Sequence, residues 1–171
     1  MRAILSVLLL CGVMVSGTSN AVNGGSVSIK GRIVESACSF SPDAGNQQIQ
    51  LGQQPTHLFK ARGDRSTSVQ FNIKLADCST NIATQALLTF GSNNDSSGKL
   101  FNTKGDATGV GVRILHNGSP INNGDSAKHH IIEGNIIPSY SVAFEANVDP
   151  SNTPITSGTA NSWALLRVKY L

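Results

Sequence analysis

Charge is scarce in this chain: only 13% of residues are charged. The Lys and Arg residues stand singly among polar loops, which excludes a basic stripe for nucleic acid and a patch for an anionic membrane surface. Long apolar runs are also missing. The one candidate, Ala3 to Val15, is too short to span a bilayer comfortably. No segment holds a helical period for more than a turn or two, and there is no internal repeat or low-complexity tract. Catalytic patterns are absent as well. There is no G-x-S-x-G, and Glu35, Asp43, Asp64, Asp77, Glu133 and Glu145 fall singly in different segments, so no acid–base pair or nucleophile–base pair stands out. No catalytic residue, cofactor, metal site or small-molecule substrate is expected.

What the chain has instead is Gly, Ser, Thr and Asn throughout, with short apolar alternations between them. That is the make-up of many strands joined by turns, and 171 residues suit one all-β domain. The clearest strand is "VQFNIKL", in which Val69, Phe71, Ile73 and Leu75 alternate with polar residues. Similar runs carry Ala86, Leu88 and Phe90; Val110, Val112 and Ile114; and Tyr140, Val142, Phe144, Ala146 and Val148. Asn117-Gly118 after the second of these is a strong hairpin signal. Ile49 and Leu51 make a shorter alternation. In the final run Ala160, Ser162, Ala164, Leu166, Val168 and Tyr170 share one face, with Trp163, Leu165, Arg167 and Lys169 on the other. Many short strands point to a Greek-key or immunoglobulin-like sandwich.

The beginning of the chain reads as an export signal. Arg2 precedes the apolar run, and Ser19-Asn20-Ala21 supplies the small residues that a signal peptidase reads. Residues 1–21 are therefore expected to be removed. Lipidation at Cys11 is disfavoured because Leu10, not a small residue, precedes it. Removal of Arg2 leaves 12 basic residues against 10 acidic, a net charge of +2. It also leaves an even pair, Cys38 and Cys78, in an oxidising compartment, and a disulfide between them is expected.

The stretch "SVSIKGRIVESAC" poses a question. Val27, Ile29 and Ile33 alternate with polar residues, yet Gly31 occupies the same apolar face, where a strand completing its own core would place a side chain. In order along the chain, "VSIKGRIV", Cys38, "LFKARGDRSTSVQFNIKLADC", "GVGVRILHNGSPI" and "GTANSWALLRVKYL" resemble the pilin subunits of chaperone/usher fimbriae, of the type 1 and P pilus kind. Phe59, Gly63, Ser66 and Cys78, with Tyr170 next to last, carry much of the match.

The resemblance implies an incomplete immunoglobulin-like β-sandwich lacking its last strand, completed by a donor strand from a neighbouring subunit or a chaperone. On that reading residues 22–36 are the donor extension and 37–171 the pilin domain. Val27, Ile29 and Ile33 are then anchors inserted into the next subunit, and Gly31 allows close approach of the two backbones. Ala164, Leu166, Val168, Tyr170 and Leu171 form the groove edge that a periplasmic chaperone recognises, the Leu171 carboxylate being its anchor. The implied partners are that chaperone, an outer-membrane usher and neighbouring pilin subunits, and the implied destination is a surface fimbrium supporting adhesion.

Rival readings exist. A self-contained secreted immunoglobulin-like module recognising sugar or a host receptor would share most of the pattern. Arg62-Gly63-Asp64 looks like a receptor motif, but Gly63 reads better as a turn glycine. His57, His116, His129 and His130 read as loop histidines, because adjacent His129 and His130 would point to opposite faces of a strand and cannot share a metal. Asn94-Asp95-Ser96 and Asn117-Gly118-Ser119 read as turns rather than glycosylation acceptors. Trp163 and Leu165 face away from the groove side and are left for a second sheet or a neighbouring subunit.

Overall fold

Alternation builds the strands of the computed structural model, which describes residues 27–33, 35–41, 45–95 and 97–171. The expected signal segment, 1–21, lies outside the described residues. The chain divides into two units after Ile33. In the larger unit ten strands form: β1 (Ser39–Phe40), β2 (Val69–Asn72), β3 (Leu75–Cys78), β4 (Gln85–Gly91), β5 (Val110–His116), β6 (Ser119–Ile121), β7 (Ser126–His130), β8 (Gly134–Ile136), β9 (Ser139–Ala146) and β10 (Leu165–Tyr170). They make three antiparallel sheets, ordered β1-β3-β8, β10-β4-β7 and β2-β9-β5-β6. The only helical turn among the described residues is a short 3₁₀ segment, Thr56–Leu58.

The main core joins the inward faces, and a smaller cluster gathers Phe59, Val110 and Ala146. The main core includes Leu75, Leu88, Phe90, Ile114 and Tyr140, with the Cys38–Cys78 disulfide at one end. At its centre Phe71 stacks on Tyr140 with ring centroids 5.6 Å apart, and Phe90 meets Tyr140 edge-on at 4.9 Å. These are the offset and edge-to-face arrangements that ring quadrupoles favour. The hairpin at Asn117-Gly118 joins β5 to β6, with φ values of 50° and 76°. Both are positive, as a type I′ turn requires.

Three sequence expectations need correction. "VQFNIKL" is not one strand, although its alternation persists: β2 pairs with β9, whereas β3 pairs with β1 and β8. The partners break at the same place, because Pro138 separates β8 from β9 and has no N–H to continue a ladder; its carbonyl accepts the Ile73 N–H at 2.9 Å. The strand thus passes from one sheet to another. Secondly, β5, read only as an alternating run, is buried on both faces. The segment holding Leu100 and Phe101 lies along its edge, Phe101 pairing with Val112. The fit is close enough that a Cβ on Gly111 would lie 2.8 Å from that of Leu100.

Thirdly, the histidines and carboxylates are not all isolated. His129 and His130 lie on β7 and His116 ends β5; only His57 is in a loop turn. The His116 and His129 rings meet edge-on at 4.7 Å, and His129 Nε2 is 2.6 Å from the Tyr140 hydroxyl. Burial, with His116 close by, holds His129 below the usual histidine range, and burial pushes the Tyr140 phenol far above its own. Nor does Glu145 stand alone. Arg113 grips it through Nε (2.9 Å) and Nη2 (2.7 Å), and Arg65 Nε donates from 2.6 Å. Arg113 and Glu145 are both buried, at 6% exposure each. Burial pulls the Glu145 carboxyl upward, but the two guanidinium groups more than offset it and hold it below the ordinary glutamate range.

Two outcomes follow for stability. Glu145→Leu leaves the Arg113 guanidinium buried without its partner and is expected to cost about 3–5 kcal/mol in urea unfolding at neutral pH. Because the folded carboxyl titrates below its reference of 4.5, its contribution is complete above that pH and drains away as acid carries it through the lower folded value. The variant should therefore lose less stability in that acid window than the parent; equal slopes would refute the assignment. Opening the disulfide, whose cysteines are 40 residues apart, should lower stability by about 4 kcal/mol, measured by unfolding with and without reductant.

Candidate functional site: an apolar cleft beside an unpaired strand edge

The last strand pairs on one side only. From Leu165 opposite Gly91 to Tyr170 opposite Ala86, β10 follows β4 in continuous antiparallel register. Its other edge has no strand beside it among the described residues. The main-chain groups along that edge are a template for a further strand. Its C-terminal end is tied down. The Leu171 N–H donates to the Gln85 carbonyl at 2.9 Å, and the Leu171 oxygen accepts from Thr84 N–H at 3.0 Å and Gln85 N–H at 3.1 Å. The Tyr170 hydroxyl donates to the Cys38 carbonyl at 3.1 Å, joining the strand to the disulfide.

Beside this edge opens a cleft of ≈ 1290 Å³. Residues 45–54, which carry no strand, line it together with the 155–166 segment that leads into β10. Its floor is made of core side chains including Phe71, Phe90, Val112 and Phe144. None of its lining residues among those described is charged. The inward positions here are unfinished: Ile49, Leu51, Phe71, Phe144, Leu166 and Val168 pack against the core yet are not fully buried. In a closed sandwich such positions are covered by the facing strand. The chain supplies apolar side chains for a strand that is not found among the described residues of the larger unit.

Of the groove-edge residues read from the sequence, Ala164 and Leu166 line the cleft, while Val168, Tyr170 and Leu171 lie further along the same strand and its end. Leu166, Val168 and Tyr170 point inward on β10, as alternation requires, and Arg167 and Lys169 point out. Ala164 lies one residue before the strand; it is exposed and lines the cleft. Trp163 and Leu165, expected to face elsewhere, also line the cleft and are 54% and 50% exposed. The opposite wall was missed, although the Ile49/Leu51 alternation signals it.

Segment 27–33 belongs to the other unit. It carries no assigned strand, and Val27, Ile29 and Ile33 are 86%, 90% and 101% exposed. A Cβ on Gly31 would meet nothing within 4 Å. The Arg62-Gly63-Asp64 loop is a turn, with Gly63 at φ 93° and Asp64 Oδ2 accepting the N–H groups of Lys60 and Ala61 at 2.7 and 2.8 Å. Hydrogen bonds from those two N–H groups hold the Asp64 carboxyl below its ordinary range.

Comparison with known proteins agrees with this geometry. The family model described as fimbrial protein matches residues 27–171. The fimbrial-like protein SfmA of Escherichia coli strain K12 is 33% identical over 87% of this chain and 86% of its own. The type-1 fimbrial protein A chain of Salmonella typhi is 32% identical over 98% of this chain and 95% of its own. Among solved structures, the P pilus rod subunit PapA superposes with a TM-score of 0.67 at 20% identity, covering 80% of this chain and all of PapA. The incomplete immunoglobulin-like fold expected from the sequence is the fold seen here, and the chain belongs to the fimbrial protein family.

Proposed function

We propose that this protein is a structural, non-catalytic subunit of a bacterial surface fimbrium, assembled by exchange of β-strands and supporting adhesion. The observation that carries the reading is the cleft, where half-buried apolar side chains lie along the unpaired edge of β10. A strand entering it would gain main-chain hydrogen bonds from β10 and bury its alternate side chains on Phe71, Phe144 and Leu166, the mode of β-augmentation. The segment with the matching pattern is 27–33, with Val27, Ile29 and Ile33 exposed and Gly31 between them. Three such anchors contribute roughly 5–9 kcal/mol, at about 1.5–3 kcal/mol each, comparable with the stability of a small domain.

A subunit short of that much burial needs shielding before assembly. The reading therefore includes export of a chain freed of residues 1–21, capture by a periplasmic chaperone that lends a strand to the cleft, delivery to an outer-membrane usher, and replacement of that strand by the extension of a neighbouring subunit. Main-chain pairing along β10, up to Tyr170 and Leu171, is the contact shared by chaperone and neighbour.

Two experiments test this. Gly31→Leu adds a side chain where the subunit itself has open space, so folding and chaperone co-purification should be unchanged. Polymerisation should fall by roughly 10- to 150-fold, the equivalent of one lost anchor. A Leu variant that polymerises at the parental rate sinks the donor role of this segment. Leu166→Lys places an ammonium on the cleft face, and its subunit should neither be held by the chaperone nor accept a neighbour's extension, while its own extension still caps others. Fibre assembly measured with variant and parental subunits mixed in both orders separates these roles.

A further inference from the structure

The outer face of the β10-β4-β7 sheet carries one sign of charge. Register places Lys169 opposite Leu87 and Leu87 opposite Lys128, while Arg167 lies opposite Thr89 and Thr89 opposite Ser126. Arg167, Lys169 and Lys128 are exposed, and none of the three strands contains Asp or Glu. The only ion pairs among the described residues are those of Glu145 with Arg65 and Arg113, so Arg167, Lys169 and Lys128 have no contact ion pair there. The cleft, whose described lining residues are uncharged, supplies none either.

A strand added to the free edge of β10 extends this same face. Parity decides which of its side chains arrive there, whether it runs parallel or antiparallel: if Val27, Ile29 and Ile33 point inward, Ser28, Lys30 and Arg32 point outward. A copy of this chain would thus bring Lys30 and Arg32 alongside Arg167 and Lys169. Like charges side by side on adjacent strands are destabilising, and opposite charges stabilising.

We propose that the cleft selects its occupant by charge. Its preferred donor is the extension of a different subunit, one with the same apolar alternation but with Asp or Glu at the outward positions, rather than a second copy of this chain. By the same rule the Lys30/Arg32 extension suits an acceptor whose edge strand is acidic. The protein then sits at a junction between unlike subunits. This rests on the strand-accepting reading of the cleft.

The test uses the purified protein and two synthetic peptides of residues 25–34, one with the natural sequence and one with Lys30→Glu and Arg32→Glu. Binding is read from the fluorescence of Trp163, the single tryptophan, which lines the cleft. The charge-reversed peptide is expected to bind about five- to tenfold more tightly at low ionic strength. The gap should close at about 1 M salt, where the screening length is about 3 Å. An Arg167→Glu/Lys169→Glu protein should reverse the preference. Equal binding of both peptides, or tighter binding of the natural one, overturns charge selection while leaving strand acceptance intact. If neither peptide binds, strand acceptance fails and this proposal falls with it.

Discussion

The unpaired edge of β10 is the constraint on which the rest of the structure turns. Buried main-chain N–H and C=O groups need partners, and on a strand half-sunk into a core only another strand supplies them along the whole length. β4 satisfies one edge from Gly91 to Ala86. The other edge faces an apolar floor, so water is a poor substitute: it can bond the backbone but leaves Phe71, Phe144 and Leu166 wet. Edge and floor ask for the same object, an extended segment with alternating apolar side chains. This double demand distinguishes the cleft from an ordinary ligand pocket, where a few polar groups fix a compact molecule.

Elsewhere the fold is arranged so that this opening is tolerated. The rest of the core is closed and cross-braced, by the ring cluster of Phe71, Phe90 and Tyr140, by the disulfide, and by the buried Arg113–Glu145 pair on the far face of β5. That pair links β5 to β9 through side chains where their main chains already pair, and Arg113 Nη1 also donates to Asn122 Oδ1 at 3.0 Å, reaching the turn after β6. The sheet that forms the cleft floor is thereby made rigid from behind. A stiff floor keeps the half-buried side chains in place when nothing covers them.

Much of this was legible in the sequence, for reasons that are local. Strand β4 alternates strictly, β9 carries its apolar face at Tyr140, Val142 and Phe144, and Asn117-Gly118 dictates its turn; each of these signals lies within a few residues. The partial failures are non-local. The Arg113–Glu145 pair spans 32 residues and Arg65–Glu145 spans 80, distances at which no pattern survives. The switch of sheets between β2 and β3 is set by Pro138, more than sixty residues downstream of Ile73 in sequence. At the site, parity correctly placed Leu166, Val168 and Tyr170 on the inner face. It misjudged Trp163, because the chain before β10 is coil and does not keep a strand's alternation; Leu165, the first residue of β10, keeps its outward parity and still borders the cleft. That a strand is absent is invisible to periodicity altogether, since alternation records what a segment buries and not whether its partner exists.

The hydrogen bond from Tyr170 to Cys38 spans 132 positions. Contacts so distant along a polymer are slow to find, because the intervening chain must be gathered before they give any return in energy. The wall of the cleft is therefore tied to one of the longest searches in the molecule, while the sticky floor beneath it is assembled from strands that meet sooner. During that interval the half-made subunit is most exposed to wrong pairings with its siblings. The danger comes from topology and not from marginal chemistry, so strengthening the finished fold would do nothing to shorten it.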